Sequence, residues 1–343
     1  MENKNLPNLL DLSPEKLPVL IKQWGEPQYR AKQLATWLYK RKVHSFTQMN
    51  NLPIGLRQKL EAEWTIFIPQ SIKEQVALDG TRKFLLQMAD GESVEAVLIS
   101  EADRLTACIS TQVGCAIGCS FCATGHSGFT RQLTAGEIVG QVLALLERTT
   151  CSLSNIVFMG MGEPLANYDN VLSAIKTINH PEGLGLGARR ITVSTVGILP
   201  GIRRLAHENI QINLAVSLHA PNDHLRNQLV PINRTYPIKE LLNACQYYIA
   251  HTNRRVSFEY VLLHGVNDSE AIAHELGRLL AGMLCHVNLI PVNPTGNKED
   301  SRPSEEDTRA FTRILQCYGV QSTQRKEKGT DIAAACGQLR QRR

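Results

Sequence analysis

From residue 106 onward, short apolar runs alternate with longer amphipathic stretches. Thr106–Ser110, Asn155–Met159, Arg190–Thr195, Ile212–Leu218, Val256–Leu263 and His286–Pro291 have strand length and are rich in branched apolar residues. Apolar residues recur at helical spacing over Thr134–Arg148, Tyr168–Ile178, Ile198–His207, Pro237–Ala250 and Asp268–Leu280. Six strand–helix units in series predict an α/β fold with a parallel sheet, either open or curled into a partial barrel. In such folds the chemistry lies at the carboxyl ends of the strands.

The flanks read differently. Ser13-Pro14-Glu15 is a helix start, with Leu17, Leu20, Ile21 and Trp24 at helical spacing behind it. Tyr29–Arg41 and Pro53–Glu63 are two further helices, and Phe84–Met88 and Ser93–Ile99 are strands around the Asp90-Gly91 turn. After a polar stretch, Pro294–Pro303, come a helix at Ser304–Tyr318, a strand at Val320–Thr323 and a short helix from Asp331. This divides the chain into an N-terminal helical module (1–90), a core (91–296) and a C-terminal extension (297–343).

The chain has 343 residues, 43% hydrophobic and 20% charged, which is a globular composition. No apolar run reaches the length of a membrane-spanning helix. The N-terminus lacks a signal-peptide core, so a cytoplasmic location is expected. Thirty-seven basic residues face 32 acidic ones, a small surplus compatible with a polyanionic partner. Lys32, Lys40 and Arg41 decorate the second helix and Lys42 follows it, and Gln324–Arg343 carries six Lys/Arg against two acids. Each group fits a solvated surface or a phosphate-contacting one.

The nine cysteines are too few for a disulfide scaffold, and four of them fall between 108 and 122. Cys115, Cys119 and Cys122 have the spacing C-x3-C-x2-C, so three thiolates can reach one metal centre. A structural zinc ion wants a fourth Cys or His. Three ligands without a fourth suit an iron–sulfur cluster with one iron left open to a small molecule.

This loop, with Phe121 before its last cysteine, resembles that of radical S-adenosylmethionine (SAM) enzymes, whose partial (β/α)6 barrel matches the strand–helix pattern. Further segments resemble the RlmN/Cfr branch of RNA adenine methyltransferases. They are Cys108-Ile-Ser-Thr-Gln-Val-Gly-Cys115, Cys122-Ala-Thr-Gly, Gly128-Phe-Thr-Arg-Gln-Leu-Thr, Met159-Gly-Met-Gly-Glu-Pro-Leu, Ser217-Leu-His-Ala-Pro-Asn and Ala335-Cys-Gly-Gln-Leu. The match runs from about Val94 to Leu339.

The resemblance implies a [4Fe-4S] cluster on Cys115, Cys119 and Cys122, two molecules of SAM per turnover, and an electron donor such as flavodoxin or ferredoxin. It implies that Gly162, Glu163, Ser194, Ser217, Leu218, His219 and Asn293 bind SAM; taken singly, each polar residue would read as structural. Glycines at 160 and 162 would let a ligand approach the backbone. It implies that Cys336 is methylated and that its methyl carbon, made a radical, adds to an adenine ring carbon. Cys108 then attacks the Cys336 sulfur to form a transient disulfide, and Glu95 accepts the ring proton. On residue type alone, Cys108 and Cys336 would be core thiols and Glu95 a solvent-facing strand acid; alternation along Ser93–Val97 leaves its orientation open.

Within the branch, the expected activity is methylation of adenine C2 in 23S ribosomal RNA and in the transfer-RNA adenine 3′ to the anticodon, by a monomer. The alternative is C8 methylation of the Cfr type. Outside it stand a radical SAM enzyme acting on a small molecule and a non-catalytic zinc-containing RNA-binding protein, which has no use for both Cys108 and Cys336. Cys151, Cys245, Cys285 and Cys317 read as structural thiols, and His126 and His264 lack a second metal ligand at close spacing.

Overall fold

The computed structural model describes residues 6–102, 104–293 and 301–340. Most of the Pro294–Pro303 stretch, the boundary expected at 296/297 and the last basic residues, Arg342 and Arg343, lie outside the described residues.

Three short helices open the chain: α1 (Leu17–Gln23), α2 (Tyr29–Ala35) and α3 (Ile54–Glu63). A wider π turn, Thr36–Lys40, continues α2. Their apolar stripes, including Leu17, Ile21, Leu34, Leu38 and Leu60, are buried, while Lys32, Lys40 and Arg41 are exposed. Four strands follow in antiparallel order: β1 (Gln70–Val76), β2 (Arg82–Gln87), β3 (Ser93–Glu101) and β4 (Arg104–Cys108). The sheet therefore starts at Gln70, inside the 1–90 span.

The cysteine loop is bracketed by two short paired strands, β5 (Gln112–Gly114) and β6 (Phe129–Gln132), and contains one turn of helix, α4 (Ala123–His126). The alternating core then runs α5 (Ala135–Leu146), β7 (Asn155–Phe158), α6 (Tyr168–Asn179), β8 (Ile191–Thr195), α7 (Leu199–Leu205), β9 (Asn213–Ser217), α8 (Asp223–Leu229), α9 (Ile238–Thr252), β10 (Val256–Leu262), α10 (Glu270–Leu280) and β11 (Cys285–Pro291). The chain ends with α11 (Glu305–Cys317), β12 (Ser322–Gln324) and a 3-10 turn at Thr330–Ile332.

One ten-stranded sheet has the order β1-β2-β3-β4-β7-β8-β9-β10-β11-β12. From β4 to β12 neighbouring strands are parallel. The six strands expected of a partial barrel are thus consecutive neighbours, extended by the antiparallel β1–β3 at one end and by β12 at the other. Edge strands β1 and β12 leave the curl open.

Register assigns the faces. Leu105, Ala107, Ile156, Phe158, Ile191, Val193, Leu214, Val216, Phe258, Tyr260, Val287 and Leu289 alternate onto one face and are buried. Cys108 is opposite Val157, which is opposite Thr192; Ser194 is opposite Ala215; Ser217 is opposite Glu259, which is opposite Asn288. These residues share the other, more polar face. Helix α5 is buried on nearly every side because the N-terminal segment covers its outer surface. Asp11 Oδ1 accepts from the Gly136 amide at 2.7 Å, and a side chain at Gly136 would strike it. No helix among the described residues is long and apolar enough to cross a membrane.

Residues 325–340 form a strap across the open side. The Arg325 amide donates to Leu289 O (2.8 Å), beside β11. At the opposite end of the sheet, the Gly329 amide donates to Asp79 Oδ2 (3.0 Å) and the Arg340 amide to Glu95 Oε2 (2.9 Å). Between these points, Gly337 O accepts from the Ala123 amide (2.8 Å), Leu339 O from Thr124 Oγ1 (2.5 Å) and Cys336 O from Asn293 Nδ2 (3.1 Å).

Candidate active site

The cysteine loop is closed at its base where β5 meets β6. The Cys115 amide donates to Gly128 O at 2.7 Å. Gly114 has φ +77°, and a Cβ there would overlap the Gly128 carbonyl oxygen, so only glycine lets the two strands approach this closely. Cys115, Cys119 and Cys122 line one cavity of about 160 Å³. Burial pushes the Cys115 thiol up to about 11 and the Cys119 thiol well above its ordinary value, and charge on the neighbouring cysteines adds to both. Such a trio becomes thiolate when a cationic metal centre balances it. Zinc–sulfur bonds of about 2.3 Å place tetrahedral ligands under about 4 Å apart. Among the described residues, the group of potential ligands whose atoms all lie within 4.8 Å of one another is that of exposed His264, half-buried Asp268 and exposed Asp307, not the three cysteines. The wider spacing fits a cluster better than a single ion. His264 does have neighbouring carboxylates, contrary to the sequence reading, because its loop folds onto the start of α11; His126 is exposed.

The strand ends wall the same cavity with Gly162, Glu163, Ser194, Ser217, His219 and Asn293. Glu163 is buried. Its Oε1 accepts from the Leu165 amide (2.9 Å) and its Oε2 from the Val196 amide (2.8 Å). Burial outweighs these bonds and raises the carboxyl to about 7. The glycines before it line the cavity and also serve packing. A Cβ on Gly160 would strike Ser110 Oγ and the Ile109 backbone, and one on Gly162 (φ +101°) would strike Gln112. They let β7 pack against the segment after β4. Leu218 has a fully buried side chain that does not line the cavity; its backbone pairs with Glu259 O and Arg226 Nε. His219 bends the chain at φ +60°, and its Nδ1 accepts from the Val261 amide (3.0 Å). Burial, with Arg226 nearby, holds this imidazole down at about 3, so it is neutral with its hydrogen on Nε2. Its ring packs edge-on to Phe121, 4.7 Å between centroids. Asn293 Oδ1 is buried without a hydrogen-bond partner among the described residues, while its Nδ2 holds Cys336 O.

A second cavity, about 660 Å³, opens beside the first. Met159, Ile290, Asn293, Arg325 and Cys336 line both, so these residues form the wall between them. Cys108 lies only in the second, whose lining includes Arg104, Lys326 and Lys328 beside Glu101 and Glu327. Burial, then Cys336, push the Cys108 thiol up to about 12. All nine cysteines are free. Cys245 and Cys285 are buried as expected; Cys151, in a turn, and Cys317, at the end of α11, are exposed and do not serve as core thiols.

Glu95 is buried rather than solvent-facing. Register puts it opposite Leu85 and on the same face as Val97, which is opposite Cys108. Its Oε1 pairs with Lys83 Nζ at 3.1 Å.

The chain matches the radical SAM superfamily over residues 109–276 and the ribosomal RNA large subunit methyltransferase N-terminal domain over residues 7–66. A probable dual-specificity RNA methyltransferase RlmN of Clostridium tetani is 49% identical over 339 residues, 98% of this chain and 97% of that one. Its counterpart in Thermotoga neapolitana is 48% identical over 98% of each chain. This chain belongs to the RlmN family of radical SAM methyltransferases. A crystal structure of a radical SAM methyltransferase from Sphaerobacter thermophilus superposes with a TM-score of 0.93 at 50% identity, covering 97% of this chain and 99% of that one.

Membership in the RlmN family makes the chain a SAM-dependent RNA methyltransferase and implies a [4Fe-4S] cluster, for which the three-cysteine wall is the fitting site. The zinc-containing, non-catalytic alternative is thereby set aside. Three charged residues of this RlmN-family site escaped the sequence reading. Arg226 is fully buried and donates to Leu218 O, Ser217 O, Val196 O and Asn233 Oδ1, so it shapes the strand ends. Arg325 is wedged among Cys336, Glu259 and Cys108. Lys83 is the third. Nothing local marks any of them, because their partners are brought together only by the fold.

Proposed function

We propose that this enzyme methylates C2 of adenine in 23S ribosomal RNA and in transfer RNA, at the adenine 3′ to the anticodon, through an S-methylated Cys336. The observation that carries this is the place of Cys336: it stands in the wall common to both cavities, while Cys108 faces only the wider one. A group loaded onto Cys336 from the first cavity is thereby presented to a base in the second. The wider cavity, lined by more basic than acidic side chains, suits a nucleotide turned out of its RNA. The near-full-length likeness to RlmN proteins, N-terminal domain included, favours C2 over C8.

Cys115, Cys119 and Cys122 would hold the cluster, and Gly162, Glu163, Ser194, Ser217, His219, Asn293 and the Leu218 backbone would hold SAM. When bound, these groups supply a methyl group and a hydrogen-abstracting carbon radical, two SAM being used per turnover. Glu163 receives the ammonium of SAM, and the unpaired Asn293 Oδ1 accepts from an amino group. The Cys336 sulfur takes the methyl group, and its methylene carbon then bonds to adenine C2. Glu95 accepts the proton from that carbon. Cys108 gives up its thiol proton to solvent as its sulfur bonds to Cys336 sulfur and the Cys336 sulfur–methylene bond breaks, and the pair from that bond stays with the methylene. A proton equivalent to the one taken by Glu95 makes it a methyl group, and the surplus electron returns to the reductant side. The donor is a small electron-transfer protein such as flavodoxin or ferredoxin, and the enzyme acts as a cytoplasmic monomer. Residues 1–90, 91–296 and 297–343 are its RNA-binding module, its radical core and its methyl-carrying extension.

Mass spectrometry of the tryptic peptide Gly329–Arg340 tests this, with wild type beside Cys115→Ala, both prepared anaerobically with SAM. A methyl group on Cys336 in the wild type alone is the expected result; an unmodified Cys336 in cluster-loaded protein refutes the shuttle. Nucleoside analysis of treated RNA should show 2-methyladenosine, and 8-methyladenosine alone would transfer the enzyme to the Cfr type.

A further inference from the structure

A lysine with 2% of its side chain exposed is rare, and it persists only when its charge is met. Lys83 lies on β2 between Arg82 and Phe84, in the layer that continues through Val97 to Cys108. Its ammonium has contacts that join distant parts of the chain, among them Glu95 Oε1 at 3.1 Å and Ala333 O at 3.0 Å. Ala333 has φ +52° and stands three residues before Cys336. The other Glu95 oxygen, Oε2, accepts from the Arg340 amide four residues after Cys336. Lys83 and Glu95 thus grip the strap on both sides of the methyl-carrying cysteine.

We propose that Lys83 is a positioning residue of the release step, fixing Glu95 by one oxygen so that the other becomes the proton acceptor when the strap shifts. This rests on the roles given to Glu95 and Cys336 above. In the structure Oε2 is engaged by the strap and Glu95 does not line the nucleotide cavity. Oε1 is held by Lys83 of β2, a strand of the sheet. Freeing the Arg340 amide exposes Oε2 alone, and Lys83 keeps it aimed at the face that carries Cys108. The step balances as written above: one proton passes from the ring carbon to Oε2, an equivalent proton reaches the methylene carbon, and two sulfurs are oxidised to a disulfide.

The test separates the two half-reactions. Lys83→Met removes charge and hydrogen bonding, Lys83→Gln retains a donor for Ala333 O without the charge, and Lys83→Arg restores the charge. Each is assayed beside Cys108→Ala and Glu95→Gln for the methyl on Cys336 and for the lifetime of the covalent RNA–protein adduct. Lys83→Met and Lys83→Gln should still gain the methyl group, with an adduct living at least about tenfold longer, a fraction of what a general base contributes. Lys83→Arg should return it toward wild type. Adduct resolved at the wild-type rate in Lys83→Gln overturns the proposal. So does loss of both methyl and adduct in Lys83→Gln, which would leave Lys83 a strap anchor only. If Glu95→Gln itself leaves no adduct while Cys108→Ala does, the role of Glu95 is what fails.

Discussion

Gly114 and Gly128 form a matched pair for asking what positions the three cluster thiols. Both have a left-handed backbone, φ +77° and φ +76°. Alanine at either position therefore costs a similar amount in backbone energy, about 1–2 kcal/mol. Their surroundings differ. Around Gly128 a Cβ meets nothing within 4 Å. At Gly114 the added methyl would overlap the Gly128 carbonyl oxygen and lie 2.9 Å from its carbon and 3.2 Å from Phe129 Cα. All three are backbone atoms, so no side chain can swing aside. The strands must part by more than an ångström, which breaks the Cys115–Gly128 hydrogen bond and adds about 1 kcal/mol. Gly114→Ala should thus cost at least about 1 kcal/mol more than Gly128→Ala, concentrated at the base of the cluster loop. The assay is iron per chain and visible absorbance after anaerobic reconstitution. Gly128→Ala should take up nearly the wild-type amount of iron and Gly114→Ala a small part of it. Equal loading of the two variants would refute the reasoning, since the β5–β6 clasp would then not set the cysteine positions.

Glu163, raised to about 7 by burial, meets SAM as a carboxylate only above that pH. SAM affinity of the cluster-loaded enzyme should therefore increase about tenfold from pH 6 to pH 8, the ratio of ionised fractions for a group titrating at 7; equilibrium dialysis measures it, and Glu163→Gln should bind weakly with a flat profile. Arg226→Met leaves four acceptors without a donor at about 1–3 kcal/mol each, partly offset because a guanidinium is no longer desolvated. A net loss of roughly 3–5 kcal/mol should appear as a lower urea midpoint at unchanged slope. Arg226→Lys should recover little, because one ammonium cannot span four acceptors; a loss under about 1 kcal/mol in Arg226→Met would contradict this account.

The six parallel strands were legible because each is an apolar run with a helix behind it, and the cysteine loop because three thiols fall within eight residues. Ser194 and Ser217 were legible as strand-end residues for the same reason. β1 was not: Gln-Ser-Ile-Lys-Glu-Gln-Val is an exposed edge strand with no apolar alternation to mark it. Without it the N-terminal module extended to residue 90. A truncation there would remove β1, β2 and Lys83 along with the helices, so its effect on RNA methylation would not report on the helical module alone. The orientation of Glu95 could not be read from alternation because β3 is buried on both faces from Ser93 to Leu98. Only the pairing with β2 and β4 settles it. Lys83, Arg226 and Arg325 were invisible for a related reason. A buried charge is recognised by what it pairs with, and the partner of Lys83 on the strap is 250 residues away in sequence.

The strap that spans the open side of the sheet bears on how the enzyme is made. Its anchors, Asp79, Lys83 and Glu95, are synthesised early, and the segment they hold is synthesised last. At 5–20 residues per second, roughly 10–50 seconds separate the two on the ribosome. During that interval the cluster loop can fold and its ligands can gather, but the Arg325 and Cys336 part of the wall that divides the two cavities is missing. A chain stalled or clipped before Ala333 could thus acquire metal yet carry no acceptor for a methyl group. Assembly order itself keeps the radical-forming half of the site from being paired with its sulfur target until translation has passed residue 340.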